Sequence, residues 1–67
     1  MNIQLNNRPD VLSEEPVTVS RLLELKNFTF RMLVVKINGK LVKKDQYAEA
    51  LIREGDEVMV MHLVSGG

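Results

Sequence analysis

The groups in this sequence that could do chemistry are few. It contains no cysteine, so it offers no thiol nucleophile, no disulfide and no thiolate ligand for a metal. A single histidine, His62, cannot build a His-cluster metal site. With no nucleophile, acid pair or ligand near it in sequence, His62 reads as a half-buried or partner-facing strand residue. The adjacent acids Glu14-Glu15 and Asp56-Glu57 read as solvated turns. No catalytic residue and no metal site are therefore expected. What remains is the closing stretch "HLVSGG", an apolar strand running into Ser65, Gly66 and Gly67. Lacking a Cβ, glycine can enter a narrow channel and reach conformations that other residues cannot. Val64 to Gly67, if extended, would span about 13 Å at ~3.3 Å per residue. Glycine linkers also end chains, so these residues alone leave the meaning of the ending open.

Composition limits the partners such a group could meet. Nine basic and nine acidic residues cancel, which argues against nucleic acid, since phosphate binding needs a basic surplus. The cluster "KLVKK" (Lys40, Lys43 and Lys44) reads as a solvated hairpin edge in preference to a binding patch. No apolar run approaches a membrane span, and "MNIQLNNRPD" lacks the charged and apolar regions of a signal peptide. The expectation is a soluble, cytoplasmic, single domain over residues 1–67 that binds neither membrane nor nucleic acid. A chain of this length buries only about 60% of its unfolded surface. Without a covalent or metal staple it depends on apolar packing, for which 45% hydrophobic content is adequate.

The elements that must position the ending follow from periodicity. In "MNIQLN", Ile3 and Leu5 alternate with Asn2, Gln4 and Asn6, the pattern of a half-buried strand. "NNRPD" supplies turn residues, with Pro9 expected to fix the bend, and a short second strand follows around Val11 and Leu12. Thr18 caps a helix whose Val19, Leu22 and Leu23 share one face, and Asn27 is a suitable stop. "FTFRM" is an irregular link or the run-in to the next strand. Asn38-Gly39, between apolar runs, is the preferred pair for a two-residue hairpin turn, because both positions need φ > 0. Val35 and Ile37 should then point inward and Lys36 outward. "DQYAEALI" is expected to form one helical turn packing Tyr47, Ala50 and Leu51 on the sheet, and "REGD" a turn with Gly55 at positive φ. The last strand, "EVMVMHLV", is the longest and most apolar and belongs in the middle of the sheet, parallel to the first. The order ββ-α-ββ-β gives an α+β roll, a mixed sheet with one main helix packed on one face. Ile3, Leu5, Leu22, Leu23, Val35, Ile37, Val58 and Val60 should form its core. Met59, Met61 and Leu63 then fall on the opposite face, where a small roll would ordinarily carry polar residues. Exposed apolar surface marks a partner site, and Met suits one that meets more than one partner, a reading preferred here over methionines simply covered by "FTFRM".

The ordered set Thr18-Val19, Leu22-Leu23, Asn38-Gly39, Val42, Tyr47-Ala48, Gly55-Asp56 and Gly66-Gly67 resembles the ThiS family, ubiquitin-like sulfur carriers of thiamine biosynthesis. The resemblance covers nearly the whole chain. The family often has Trp where this chain has Tyr47, a change that leaves the packing role intact. What it implies is a β-grasp roll whose terminal Gly67 is adenylated and then converted to a thiocarboxylate that donates sulfur for thiazole formation. Ser65 and Gly66 would form the tail that enters the partners' active sites, and Met59, Met61, Leu63 and Val64 the partner interface. The implied partners are a ThiF-like adenylyltransferase, a ThiG-like thiazole synthase and a sulfur donor protein. The resemblance also implies that the chain binds no cofactor and that the partner enzyme consumes ATP. Two alternatives share the ending: the small subunit of molybdopterin synthase, which tends to be longer between the helix and third strand, and a ubiquitin-like protein modifier.

Overall fold

Asparagine sets the first reversal of the chain. Asn6 and Asn7 have φ of 52° and 65°, the left-handed pair that a tight hairpin turn requires and that Asn tolerates better than most residues. This hairpin joins β1 (Asn2–Leu5) to β2 (Arg8–Val11). The bend therefore lies two residues before the position assigned to it from Pro9. Pro9 instead sits within β2, opposite Gln4. It is accommodated there because β2 is an edge strand, whose outer side needs no N–H donor. The computed structural model describes residues 1–29 and 32–63.

The helix α1 (Val19–Leu25) begins as its sequence predicts, with the Thr18 Oγ1 accepting a hydrogen bond from the Arg21 N–H at 3.1 Å. Two more of its free N-terminal donors are satisfied from elsewhere in the chain. Val19 N–H donates to the Ala50 carbonyl and Ser20 N–H to the Tyr47 carbonyl, both at 3.0 Å. Asn27, at φ 57°, ends the helix in the left-handed region. Val19 and Leu22 are fully buried and Leu23 is half-buried, while Leu25 turns outward.

Before α1 lies β3 (Val17–Thr18), and after it come β4 (Leu33–Ile37), β5 (Lys40–Val42), β6 (Leu51–Ile52) and β7 (Glu57–His62). Among the described residues, five strands form one sheet in the order β2-β1-β7-β4-β5. The last strand occupies the centre, parallel to β1 and antiparallel to β4, as expected of a β-grasp roll. The β4-β5 turn has Asn38 at φ 51° and Gly39 at φ 82°, and Gly55 takes φ 83° in the turn before β7. These match the expected roles.

The segment after β5 departs from expectation. It is a short 3₁₀ turn over Lys44–Gln46 followed by β6, which pairs with β3 in a separate two-stranded ribbon. Tyr47 and Ala50 pack against the core as anticipated, but Leu51 is exposed and Ile52 takes the buried place. The reason is the strand pairing. Ile52 lies opposite the buried Val17, and the alternation of a strand turns Leu51 to the other side. Among the described residues, eleven buried apolar side chains form one core between α1 and the sheet. Six of the eight residues assigned to it from sequence are among them, and Leu23 and Ile37 pack partly buried against it.

Candidate functional site

The face of the sheet turned away from α1 carries the residues of interest. Val58 and Val60 point into the core, so the intervening Met59 and Met61 face outward. The register then places Lys36 beside Met59 and Val34 beside Met61, with Leu41 on the far side of Lys36. Leu63 continues the outward series beyond β7, and its N–H donates to the Met32 carbonyl at 2.9 Å. Met32, Leu41, Met61 and Leu63 keep between 38% and 60% of their surface exposed, while Met59 and Val34 are half-buried. These six form one apolar patch at the end of the sheet from which the chain continues toward Val64. Toward the other end the same face turns polar, with Gln4 opposite Glu57.

Met59, Met61 and Leu63 thus lie where the alternation of the last strand put them. Val64, Ser65, Gly66 and Gly67 lie outside the described residues, as does Phe30 of "FTFRM". Sequence reasoning missed Met32, Val34 and Leu41 as members of the same surface. The signal was present for Leu41: a two-residue turn at Asn38-Gly39 pairs Ile37 with Lys40 and Lys36 with Leu41, so Leu41 must share the outward face with Lys36.

The motif residues Asn38 and Asp56 act structurally, holding β7 in place. Asn38 Nδ2 donates to Asp56 Oδ1 at 3.1 Å, and its Oδ1 accepts from the Glu57 N–H at 2.9 Å. The other carboxylate oxygen of Asp56 accepts from the Arg53 N–H at 3.0 Å. One hydrogen-bonded unit therefore ties the β4-β5 turn to the turn that launches β7. On the opposite side of β7, Asn6 Oδ1 accepts from the Val60 N–H at 2.8 Å, extending the ladder where β1 turns away. The central strand is thus pinned on both sides, which fixes where the patch sits and where the chain leaves the sheet.

The side chains that could hold a metal ion are dispersed among the described residues. No group of three or more His, Asp or Glu side chains is placed to hold an ion. His62 ends β7 opposite Leu33, exposed, and no such ligand group includes it. An open depression of about 560 Å³ lies at the β1-β2 edge and includes Asp10 and Glu54. Both carboxylates are already engaged. Lys26 bonds Asp10 at 2.7 Å, and that hydrogen bond holds the Asp10 carboxyl below its ordinary pKa against the opposing pull of desolvation. Glu54 Oε1 accepts from the Asn2 N–H at 2.9 Å. Glu14 is likewise held low by its hydrogen bonds from Arg21, on the exposed surface before the helix. No helix among the described residues is long and apolar enough to cross a membrane.

Comparison with known proteins gives a consistent picture. A model described as the ThiS family matches residues 3–67. The structure is similar to the crystal structure of a thiamine biosynthesis protein (ThiS) from Geobacter metallireducens, with a TM-score of 0.87 and 26% identity over 100% of both chains. It is also similar to an NMR solution structure of a thiamine biosynthesis protein from the same organism, with a TM-score of 0.79 and 26% identity over 100% of this chain and 88% of that one. No curated protein matches the chain.

Proposed function

The chain belongs to the ThiS family, and from that premise we propose that it is a sulfur carrier of thiamine biosynthesis, a co-substrate of enzymes and not a catalyst itself. The observation that carries the proposal is that the family match runs through Ser65, Gly66 and Gly67 to residue 67. An ionised carboxylate is a poor electrophile, and an α-carboxyl with a pKa of about 3.3–3.7 is ionised at neutral pH. A ThiF-like adenylyltransferase removes that obstacle. A Gly67 carboxylate oxygen attacks the α-phosphorus of ATP, pyrophosphate leaves, and the product is a mixed anhydride with AMP. Sulfide delivered by a donor then adds to the activated carbonyl carbon. The C–S bond forms, the C–O bond to AMP breaks, and loss of the sulfur-bound proton leaves a thiocarboxylate. Its sulfur is the nucleophile that a ThiG-like thiazole synthase receives.

In this scheme the chain's own contribution is delivery. Its folded part stays outside the partner's active site while Val64 to Gly67 reach in, and the patch of Met59, Met61, Leu63 and their neighbours holds it there. The test is the intact mass of the chain after incubation with ATP, the adenylyltransferase and sulfide. The proposal expects a gain equal to replacing one oxygen by sulfur, lost when Gly67 is deleted. It also expects Gly66→Val to fold normally yet resist adenylation, since a branched side chain would clash in a narrow channel. Efficient thiocarboxylation without Gly67 would falsify the mechanism. Gly67 found joined to lysine side chains, with no thiocarboxylate, would establish a protein modifier instead.

A further inference from the structure

The zero net charge of the chain conceals a segregation. From Leu33 to Lys44 there are four lysines (Lys36, Lys40, Lys43 and Lys44) and no carboxylate, whereas from Asp45 to Glu57 there are five carboxylates and one cation, Arg53. The fold brings part of the basic segment onto the apolar patch. Lys36 lies on the outward face between Met59 and Leu41, and Lys43, one residue beyond β5, shares the parity of Leu41 at the patch border. Two salt bridges occur among the described residues, Arg21 with Glu14 and Lys26 with Asp10. Neither involves these lysines. Lys36 is half-buried. A lysine so placed lays its aliphatic stem along apolar neighbours and leaves the ammonium at the surface.

Taking this face as the docking surface proposed above, we infer that the partner presents an apolar surface edged with carboxylates, which meet Lys36 and Lys43. A dry, uncharged partner would strip water from the Lys36 ammonium without replacing it, and an unpaired buried charge opposes association. A second copy of this chain is disfavoured by the same group, because a twofold contact through the centre of the face brings the two Lys36 side chains together. An acidic rim resolves both difficulties. It also gives a nominally neutral carrier a directed encounter, since steering depends on the charges near the contact and not on the total.

The test is the association rate of the full chain with the cognate ThiF-like adenylyltransferase at low and high salt, about 20 mM and about 500 mM NaCl, where screening differs several-fold. The wild-type rate should fall by about 10-fold across that range. Lys36→Glu should associate about 10-fold more slowly at low salt, with the difference closing at high salt. Lys36→Gln should lie between the two, and circular dichroism checks that each variant folds. The paired change Met59→Ser with Met61→Ser should instead weaken binding at both salts through faster dissociation. A salt-independent rate with Lys36→Glu equal to wild type, while the methionine pair still weakens binding, would overturn the acidic partner and leave the docking face in place. Undiminished binding by the methionine pair would overturn the docking face itself. A dimer of the free chain in sedimentation, lost in the methionine pair, would show that a second copy covers the face and would also overturn the inference.

Discussion

β1 and β7 lie side by side in one sheet, parallel, with the same helix packed on the same side of both. They solve the two-faced problem of a strand differently. In β1 the inward residues Ile3 and Leu5 are buried and the outward residues Asn2 and Gln4 are polar and exposed. In β7 the inward Val58 and Val60 are just as buried, but Met59 and Met61 point the other way. A sheet covered on one face needs only the first pattern. The second leaves apolar side chains against water on the strand that leads to the tail, and folding alone gives no reason for them. The difference separates two roles within the molecule. One layer holds the roll together, and the other is the one that the proposed function assigns to a partner.

That division can be broken most severely from the inside. Leu22→Ala removes a fully buried side chain from the layer that β1 and β7 share. It should cost about 2–5 kcal/mol in denaturant unfolding, which a domain of this size can scarcely spare. A cost close to zero would mean that the core is not where the two strands place it. Next in size is the unit that sets β7 in register. Asn38→Ala deletes both side-chain bonds to Asp56 and Glu57 and puts a Cβ-bearing residue at φ 51° without an amide to stabilise it. A loss of about 1–3 kcal/mol is expected. Asn38→Gly keeps the turn conformation and should recover part of that loss, so equal melting of the two variants would remove the turn strain from the explanation.

The outward residues should behave differently. Met59→Ser with Met61→Ser should change unfolding free energy by less than about 1 kcal/mol, the range of surface substitutions. A fall in melting temperature like that of Leu22→Ala would place both methionines in the core and erase the contrast between the strands. The smallest effect concerns neither face. The Asp10 carboxyl is held below its ordinary value of 3.8 chiefly by the hydrogen bond from Lys26. Because its folded pKa is depressed, the contribution is present above the unfolded pKa and fades as pH falls through the folded one. Asp10→Asn should therefore flatten the acid limb of a stability–pH curve below about pH 4 and leave partner binding unchanged. An unaltered acid limb would show that the Lys26 contact contributes nothing measurable.

How much of this is legible in the sequence depends on the length of each signal. The β4-β5 hairpin can be read because Asn38-Gly39 has few other uses between two apolar runs, and β7 because six residues sustain an alternation. The first turn is legible in "NNRPD", but a bend fixed at Pro9 is misplaced within it, because an edge strand tolerates proline and two asparagines make the turn. The two-residue strands β3 and β6 show no period at all, and the near-helical spacing of Tyr47, Ala50 and Leu51 points to a helical turn in place of β6. In the site, Met59 and Met61 are visible as outward partners of buried valines. Met32, Val34 and Leu41 join them only through cross-strand register, and Lys36 acquires meaning only from what lies on either side of it. The tie between Asn38 and Asp56 spans 18 residues and has no local signature.

The central claim, that the inner layer folds the chain and the outer layer delivers its terminus, can be tested in one reaction. Isotopically labelled wild-type chain and the unlabelled Met59→Ser, Met61→Ser variant are mixed in equal amounts with ATP, sulfide and a limiting quantity of the adenylyltransferase, and intact masses are followed in time. Wild type should gain its thiocarboxylate first, with the variant lagging although both are fully folded. Conversion of the two at the same rate would contradict the claim, because it would leave the outer face with no part in the transfer.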